Sequence, residues 1–382
     1  MKKKANGQFR ARITARGFLQ EDGVHYFSES TAAPVTNETT IKIIFVLLTM
    51  TNWKAHVIDV KGAFLKGRFA NGEEMYLKVP QGFENFYEEN VVLKLERTIY
   101  GLKQAAYAFW KELLMAFKAM GFNKSVADPC LYFKNTSDGL VIWISWVDDC
   151  LLIGHPVQVR EYKQKMNEFF DCDDVGELRE YVGCRITTNN EEGYMKMTQP
   201  VIIKSFVDKF KILHNNQLST PATQGESFTT GDQYNMMNKD DQRNYRSGVG
   251  KLLYLSKWSR PDILNITREL LRHFMTATKA HEKAMKQTMA YCVDTDERGV
   301  VIKPKGKWNG CPNIDEFFEI VGISDSDYAK DRETRKSVTG YVVFLNGALV
   351  AARSKMQECV TLSVTEAELV AATNCVQDML YV

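Results

Sequence analysis

Between Leu140 and Ile153 the chain reads Leu-Val-Ile-Trp-Ile-Ser-Trp-Val-Asp-Asp-Cys-Leu-Leu-Ile, two apolar, β-prone runs on either side of adjacent aspartates. Such runs around a short polar interruption predict a β-hairpin with both carboxylates at its tip. Asp is an ordinary turn residue, and by itself the pair Asp148-Asp149 is plain turn chemistry. The surroundings sharpen the question, because two neighbouring anionic groups repel and an apolar sheet screens them poorly. A hard divalent cation such as Mg²⁺ removes the conflict: it takes carboxylate oxygens and keeps waters or phosphates in its remaining positions. The stretch therefore asks for a third carboxylate on another strand, and for features that handle nucleotides.

A chain of 382 residues is too long for one ordinary core, and two or three domains are expected. Its 45% apolar and 25% charged residues are those of a soluble globular protein. The net charge of +2 excludes nothing, but Lys2, Lys3, Lys4, Arg10, Arg12 and Arg16 precede the first acidic residue. A basic run is usually solvated surface; facing phosphates is the sharper alternative. The eight cysteines form no C-x-x-C pair and no zinc-spaced cluster, and they suit a reducing compartment. His273 and His281 lie too far apart for two ligands on one helix face, so they read as packing or surface residues. The apolar run Ile41 to Met50 is about half the length of a membrane span. The start lacks a signal-peptide core. Both ends look abrupt: the chain enters on a basic strand and stops inside a helical pattern.

Residues Gln8 to Leu19 alternate basic and apolar side chains, predicting a strand with one positive face. A buried helix is expected over Ile41 to Met50, capped by Thr39 or Thr40. Lys54 to Val60 reads as a strand carrying Asp59 near its end, followed by a turn and Phe64. Ala106, Phe109, Leu113, Phe117 and Met120 recur at helical spacing within about Lys103 to Met120, an aromatic stripe read as core, with Gly121 as cap. Helix is expected again at Tyr162 to Phe170, strand at Tyr181 to Ile186, and mostly helix from Gln199 to Cys292. After Asp294, Phe317 to Ile323 reads as a strand, and Gly340 to Ala352 as a hairpin turning at Asn346-Gly347. Cys359 to Leu362 follows as a third strand. Ser363-Val364-Thr365-Glu366 is a capping box opening a final helix. Helices layered on sheets give an α+β class.

These pieces, in this order, resemble the reverse transcriptase and the start of the ribonuclease H region of copia-type long-terminal-repeat retrotransposons. Ala11 to Phe18 is similar to the family's basic fingers strand, and Ile58-Asp59-Val60-Lys61-Gly62-Ala63-Phe64 to its first catalytic motif. Val79 to Phe83 and Ile99 to Ala105 resemble the two motifs that follow. Trp146-Val147-Asp148-Asp149 stands in the place of the aromatic-x-Asp-Asp signature. Tyr181-Val182-Gly183 resembles the primer-holding segment, while Tyr245 to Leu255 and Ser259 to Ile263 resemble the thumb-side block. Ser324 to Tyr328, Thr334 to Ser337 and Ser363 to Glu368 are similar to ribonuclease H motifs. Trp146 replaces the usual Tyr, and Ala106 stands where the family mostly has Pro.

The resemblance implies a right-hand polymerase followed by a partial ribonuclease H-like α/β domain: fingers and palm over 1–195, a helical thumb or connection over 196–296, and the last part over 297–382. It implies RNA-directed DNA polymerisation, with Asp59, Asp148 and Asp149 holding two Mg²⁺ ions (Mn²⁺ as the alternative). Arg12 and Arg16 are implied for the triphosphate, as forked donors suited to phosphate oxygens. Phe64 is implied under the incoming sugar, excluding a 2′-hydroxyl. Implied partners are an RNA template, a DNA primer, deoxynucleotides and an RNA–DNA hybrid, with no membrane; a homodimer or polyprotein partners stay open. The implied location is the cytoplasm, in a virus-like particle, or the nucleus, without secretion. For ribonuclease H, Asp325 and Glu368 are the carry-over carboxylates, Glu366 being engaged in the capping box. The family's next catalytic aspartate would lie beyond Val382, so cleavage of hybrid RNA is expected to be poor or absent. A decayed or domesticated fragment that at most binds nucleic acid is the competing reading.

Overall fold

The computed structural model describes residues 2–3, 9–10, 13–70, 73–214, 218–223, 228–231, 234–312 and 318–382. It is a mixed α/β structure that divides into two units, residues 1–37 with 53–177, and residues 38–52 with 178–382. Helix α1 (Glu38–Met50) falls by its contacts in the second unit.

The first unit is built on a six-stranded antiparallel sheet. Its strands are β1 (Lys54–Val60), β2 (Asn123–Lys124), β3 (Leu131–Thr136), β4 (Gly139–Trp146), β5 (Asp149–Gly154) and β6 (Cys172–Glu177), in the spatial order β6-β1-β5-β4-β3-β2. Helices α2 (Ala105–Ala119) and α3 (Pro156–Phe169) supply the other half of one core. Phe109, Leu113 and Phe117 on α2 and Val159, Tyr162 and Met166 on α3 meet Ile58, Val60, Trp143, Cys150 and Leu152 of the sheet. The α2 stripe is thus core, as its spacing suggested: the Phe117 ring lies 4.3 Å from Tyr132 and 5.3 Å from Trp143, centroid to centroid. Gly121, at φ 82°, ends α2 in the left-handed conformation that glycine adopts without a Cβ penalty.

The strand expected over Gln8 to Leu19 is not continuous. Phe9–Arg10 is extended, but Gly17–Leu19 forms one 3₁₀ turn, and Arg12 lies outside the described residues. Tertiary contact overrides the alternation here. The Ala15 N–H donates to the Tyr100 carbonyl at 2.7 Å, and Gly17 packs directly on the Gly101 backbone.

The second unit holds two sheets and a helical core. One sheet orders β7 (Glu180–Tyr181), β8 (Cys184–Asn189), β9 (Tyr194–Thr198) and β10 (Val300–Ile302) side by side. The strand expected over Tyr181 to Ile186 is broken in two, because Val182 and Gly183 have φ of 48° and 66° and form a two-residue hairpin turn. Helices α4 (Pro200–Phe210), α5 (Lys239–Trp258), α6 (Leu264–Arg272) and α7 (Lys279–Asp294) pack around Tyr245, Val249, Leu252, Leu255, Leu270 and Met289. The last sheet is β11 (Ile320–Asp327), β12 (Val338–Leu345) and β13 (Ala348–Met356), covered by α8 (Val364–Tyr381). Asn346-Gly347, at φ 47° and 78°, makes the expected hairpin turn.

Cys359 to Leu362 is not a strand. β13 already completes the sheet, and this link is spent in turning the chain: the Thr361 hydroxyl pairs with Ser337, while Leu362 stays exposed. The capping box forms with one change. Ser363 accepts from the Glu366 N–H, but the Glu366 carboxylate accepts from the Leu362 N–H at 2.7 Å, one residue further out.

His273 and His281 are packing residues. Their rings stack at 4.2 Å inside the helical core, both nearly fully buried. Burial lowers the pKa of both, and the neighbouring His273 adds to the drop of His281 to about 4. A lowered folded-state pKa means the fold holds the neutral ring, so this stability is intact above about pH 6.5 and is lost as pH falls toward 4. Aspartates held by partners, such as Asp262, lose their contribution only below their ordinary 3.8. His273→Phe, which keeps the stack without titrating, is expected to flatten the fall of the thermal midpoint between pH 6.5 and 4. In the first unit, Phe117→Ala is expected to cost about 3–5 kcal/mol, read from the denaturant midpoint.

Candidate active site

The three aspartates singled out in the sequence all lie in the first unit, at one end of its sheet. β1 and β5 are antiparallel, and their register sets Asp59 directly opposite Asp149. Directly opposed residues share a face. Ile58, Val60, Cys150 and Leu152 point to the helices, so Asp59 and Asp149 lie on the face turned away from α2 and α3.

Asp148 sits beside them in the turn. Trp146 pairs with Asp149, leaving Val147-Asp148 as a two-residue hairpin loop. Val147 has φ 58°, an outlier for a β-branched residue and the kind of strain that collects at functional sites. The Asp148 carbonyl accepts the Val60 N–H at 3.2 Å, tying the tip back to the end of β1. Burial, the Asp148 charge and the Asp59 charge, in that order, raise the Asp149 pKa to about 6. Burial first, then Cys172 and the three aspartates, push the Cys150 thiol well up.

Two flanking features were missed in the sequence. β6 pairs with β1 on its other side, and Asp173 is directly opposite Asp59. One cross-strand row therefore reads Asp173–Asp59–Asp149. Lys61, two residues after Asp59 and so on the same face, reaches Asp171 at 3.1 Å and Asp173 at 2.9 Å. The i, i+2 spacing of these residues was visible, but the pairing register was not.

Phe64 lies in the 3₁₀ turn Ala63–Leu65, entered through Gly62 at φ 62°. Half-buried, it meets Tyr100 edge-on at 5.1 Å, and its carbonyl accepts the Thr98 hydroxyl at 2.7 Å. Arg16 is exposed at the start of the Gly17–Leu19 turn. That turn is seated on the Ile99-to-Gln104 loop through two glycines: a Cβ on Gly17 would lie 2.1 Å from the Gly101 carbonyl oxygen, and one on Gly101 2.2 Å from that of Ala15.

Tyr181, Val182 and Gly183 belong to the second unit, where Tyr181 is buried and the other two form the β7–β8 turn. Tyr254 of α5 supports it by donating its hydroxyl to the Val182 carbonyl at 2.7 Å. Also in the second unit, Glu368 of α8 accepts from both the N–H and the hydroxyl of Ser326. Ser326 is on the α8 face of β11; alternation turns its neighbour Asp325 to the other face, so the structure does not bring Asp325 and Glu368 together.

Among the described residues, no group of three or more His, Cys, Asp or Glu side chains already forms a metal cage. The donor chemistry at Asp59, Asp148 and Asp149 nevertheless fits a hard divalent ion. All the donors are carboxylate oxygens, and the mutual repulsion seen at Asp149 is what such an ion relieves. The ion would have to gather the side chains.

A family model described as reverse transcriptase (RNA-dependent DNA polymerase) matches residues 1–224. The chain belongs to the reverse transcriptase family. The Pol polyprotein of transposon TNT 1-94 from Nicotiana tabacum is 30% identical over 98% of this chain and 27% of that protein. The Pol polyprotein of transposon RE1 from Arabidopsis thaliana is 28% identical over 98% of this chain and 24% of that protein. This reverse transcriptase-family chain thus spans about a quarter of the length of these relatives, and the resemblance read from its motifs to copia-type polyproteins is borne out. No helix among its described residues is long and apolar enough to cross a membrane.

Gly101→Ala should unseat the segment around Gly17. With about 1–2 kcal/mol of strain at a left-handed residue, plus the clash, proteolytic cleavage within residues 13–20 is expected to be roughly tenfold faster or more.

Proposed function

We propose that this chain is an RNA-directed DNA polymerase that joins deoxynucleotides to a primer at Asp59, Asp148 and Asp149, with two Mg²⁺ ions or, in their place, Mn²⁺. The observation that carries this reading is the register of β1 against β5, which puts Asp59 and Asp149 on one face beside the Asp148 turn. When bound, paired divalent ions stabilise the attacking hydroxyl and the leaving pyrophosphate.

The residues' own work is to hold negative charge where it serves. Asp59 and Asp148 would hold the ions together with Asp149, whose pKa is raised to about 6 by burial first and then by the Asp148 and Asp59 charges. The strained Val147 turn and the bond from Val60 to the Asp148 carbonyl fix the tip against β1. Phe64, held edge-on to Tyr100, excludes a 2′-hydroxyl. Arg16 contacts the triphosphate, as does Arg12, which lies outside the described residues. The turn at Val182-Gly183 holds the primer end, its backbone set by Tyr254. RNA template, DNA primer and deoxynucleotides are the corresponding partners.

Ribonuclease H action is a different matter. Glu368 is bonded to Ser326 and Asp325 faces away from α8, so this chain is proposed to cleave an RNA–DNA hybrid poorly or not at all. The competing reading is a catalytically inactive, decayed or domesticated fragment that at most binds nucleic acid.

Primer extension on an RNA template with Mg²⁺ separates the two. The wild-type chain is expected to extend, and Asp148→Asn to lower the rate about a hundredfold or more. Equal extension by both proteins would remove the aspartates from the mechanism.

A further inference from the structure

The row Asp173–Asp59–Asp149 is hard to account for as three independent acids. Like charges directly opposite one another on a sheet are destabilising, and Asp59 has one on each side. On the Asp173 side Lys61 supplies a cation. Lys61 follows Asp59 at i+2, on the same face, and its ammonium spans Asp171 and Asp173. Its main chain is fixed too, the Lys61 N–H donating to the Asp171 carbonyl at 2.9 Å. Lys61 is therefore pinned to the edge strand by backbone and side chain together, one strand away from the Asp59–Asp149 pair.

We propose that Lys61 is a positioning residue for the polymerase site, acting through Asp171 and Asp173. It neutralises the acidic edge strand beside Asp59 and keeps that edge in register with β1. The carboxylates left for divalent ions are then those on the Asp149 side. Each of its ion pairs is solvent-exposed and contributes little to stability by itself, because water and salt screen exposed charges. What Lys61 sets is the local charge: without it, Asp171 and Asp173 add to the field at Asp59, and a divalent ion is drawn toward the wrong edge of the row. The proposal rests on Asp59, Asp148 and Asp149 being the cation-binding acids.

The test pairs two readouts on the full chain. Calorimetric titration with Mn²⁺ and with Mg²⁺ measures ion affinity without nucleic acid; primer extension measures turnover. Lys61→Met is expected to bind the ion roughly three- to tenfold more tightly, because a nearby positive charge has been removed, while extending primers more slowly. Lys61→Arg should restore both values, and so should Lys61→Met with Asp173→Asn, which removes the charge that Lys61 answered. A merely structural lysine would lower affinity, extension and thermal midpoint together, and that pattern would overturn the proposal. So would Lys61→Met behaving as wild type in both assays. If the wild-type chain shows no saturable binding that Asp148→Asn abolishes, the cation site itself is refuted and the role of Lys61 with it; saturable wild-type binding combined with an indifferent Lys61→Met refutes Lys61 alone.

Discussion

Register between β6, β1 and β5 is the constraint on which the first unit depends. It aligns three aspartates across adjacent strands, an arrangement that cross-strand repulsion opposes by roughly 0.2–1 kcal/mol per pair. The opposite face of the same strands decides the contest. Ile58, Val60, Cys150 and Leu152 are buried beneath α2 and α3, and burying an aliphatic side chain of the Val, Leu or Ile kind is worth about 1.5–3 kcal/mol. A slip of one residue would carry Asp59 into that core and expel Ile58. The apolar face thus fixes the acids in a line they would not choose, and the site borrows its geometry from packing on the other side of the sheet.

The hairpin tips at Val182-Gly183 and Val147-Asp148 both place a valine in left-handed backbone, at φ 48° and 58°. At Val182-Gly183 the second position is glycine, and Tyr254 comes so close that a Cβ there would lie 3.3 Å from its hydroxyl. At Val147-Asp148 no glycine shares the turn, and a left-handed valine costs on the order of 1–2 kcal/mol relative to an unstrained conformation. The strain is tolerated because both flanking strands are anchored: β4 and β5 pair from Ile142↔Ile153 to Trp146↔Asp149, with Ile142, Trp143, Ile144 and Leu151 to Ile153 all buried. A stiff tip between two buried strands leaves Asp148 little freedom to wander from the end of β1.

Much of this was legible in the sequence, for identifiable reasons. The α2 stripe, the Asn346-Gly347 turn and the Leu140-to-Ile153 hairpin each combine a clear period or turn signal with burial that agrees with it, although the hairpin loop is Val147-Asp148 and Asp149 already pairs with Trp146. The departures occur where a distant contact overruled a local pattern. Gln8 to Leu19 alternates as a strand does, yet Gly17 and Gly101 need one another's missing side chains, and the chain curls there instead. Tyr181 to Ile186 has strand composition, but a glycine in its middle signals a turn whose type only the backbone angles disclose. Cys359 to Leu362 is β-prone, but no sheet edge takes it up. Lys61 and Asp173 were visible as residues and invisible as partners, because nothing local in a sequence states which residues face each other across two strands.

The two carboxylate sets picked out by the motifs show how far a motif reaches. Asp59 with Asp148 and Asp149, and Asp325 with Glu368, each join an acid on a strand to acids elsewhere in the chain. In the first set the strands pair so that the acids oppose one another, and burial first, then the Asp148 and Asp59 charges, raise the Asp149 pKa to about 6. In the second the helix acid is satisfied by Ser326, and the strand's alternation turns Asp325 the other way. Membership in the reverse transcriptase family rests on residues 1–224, which hold the first set and not the second, and does not itself distinguish the two by geometry. Facing does: electrostatic cooperation between acids needs a shared face and short separation, and only the first set has the shared face.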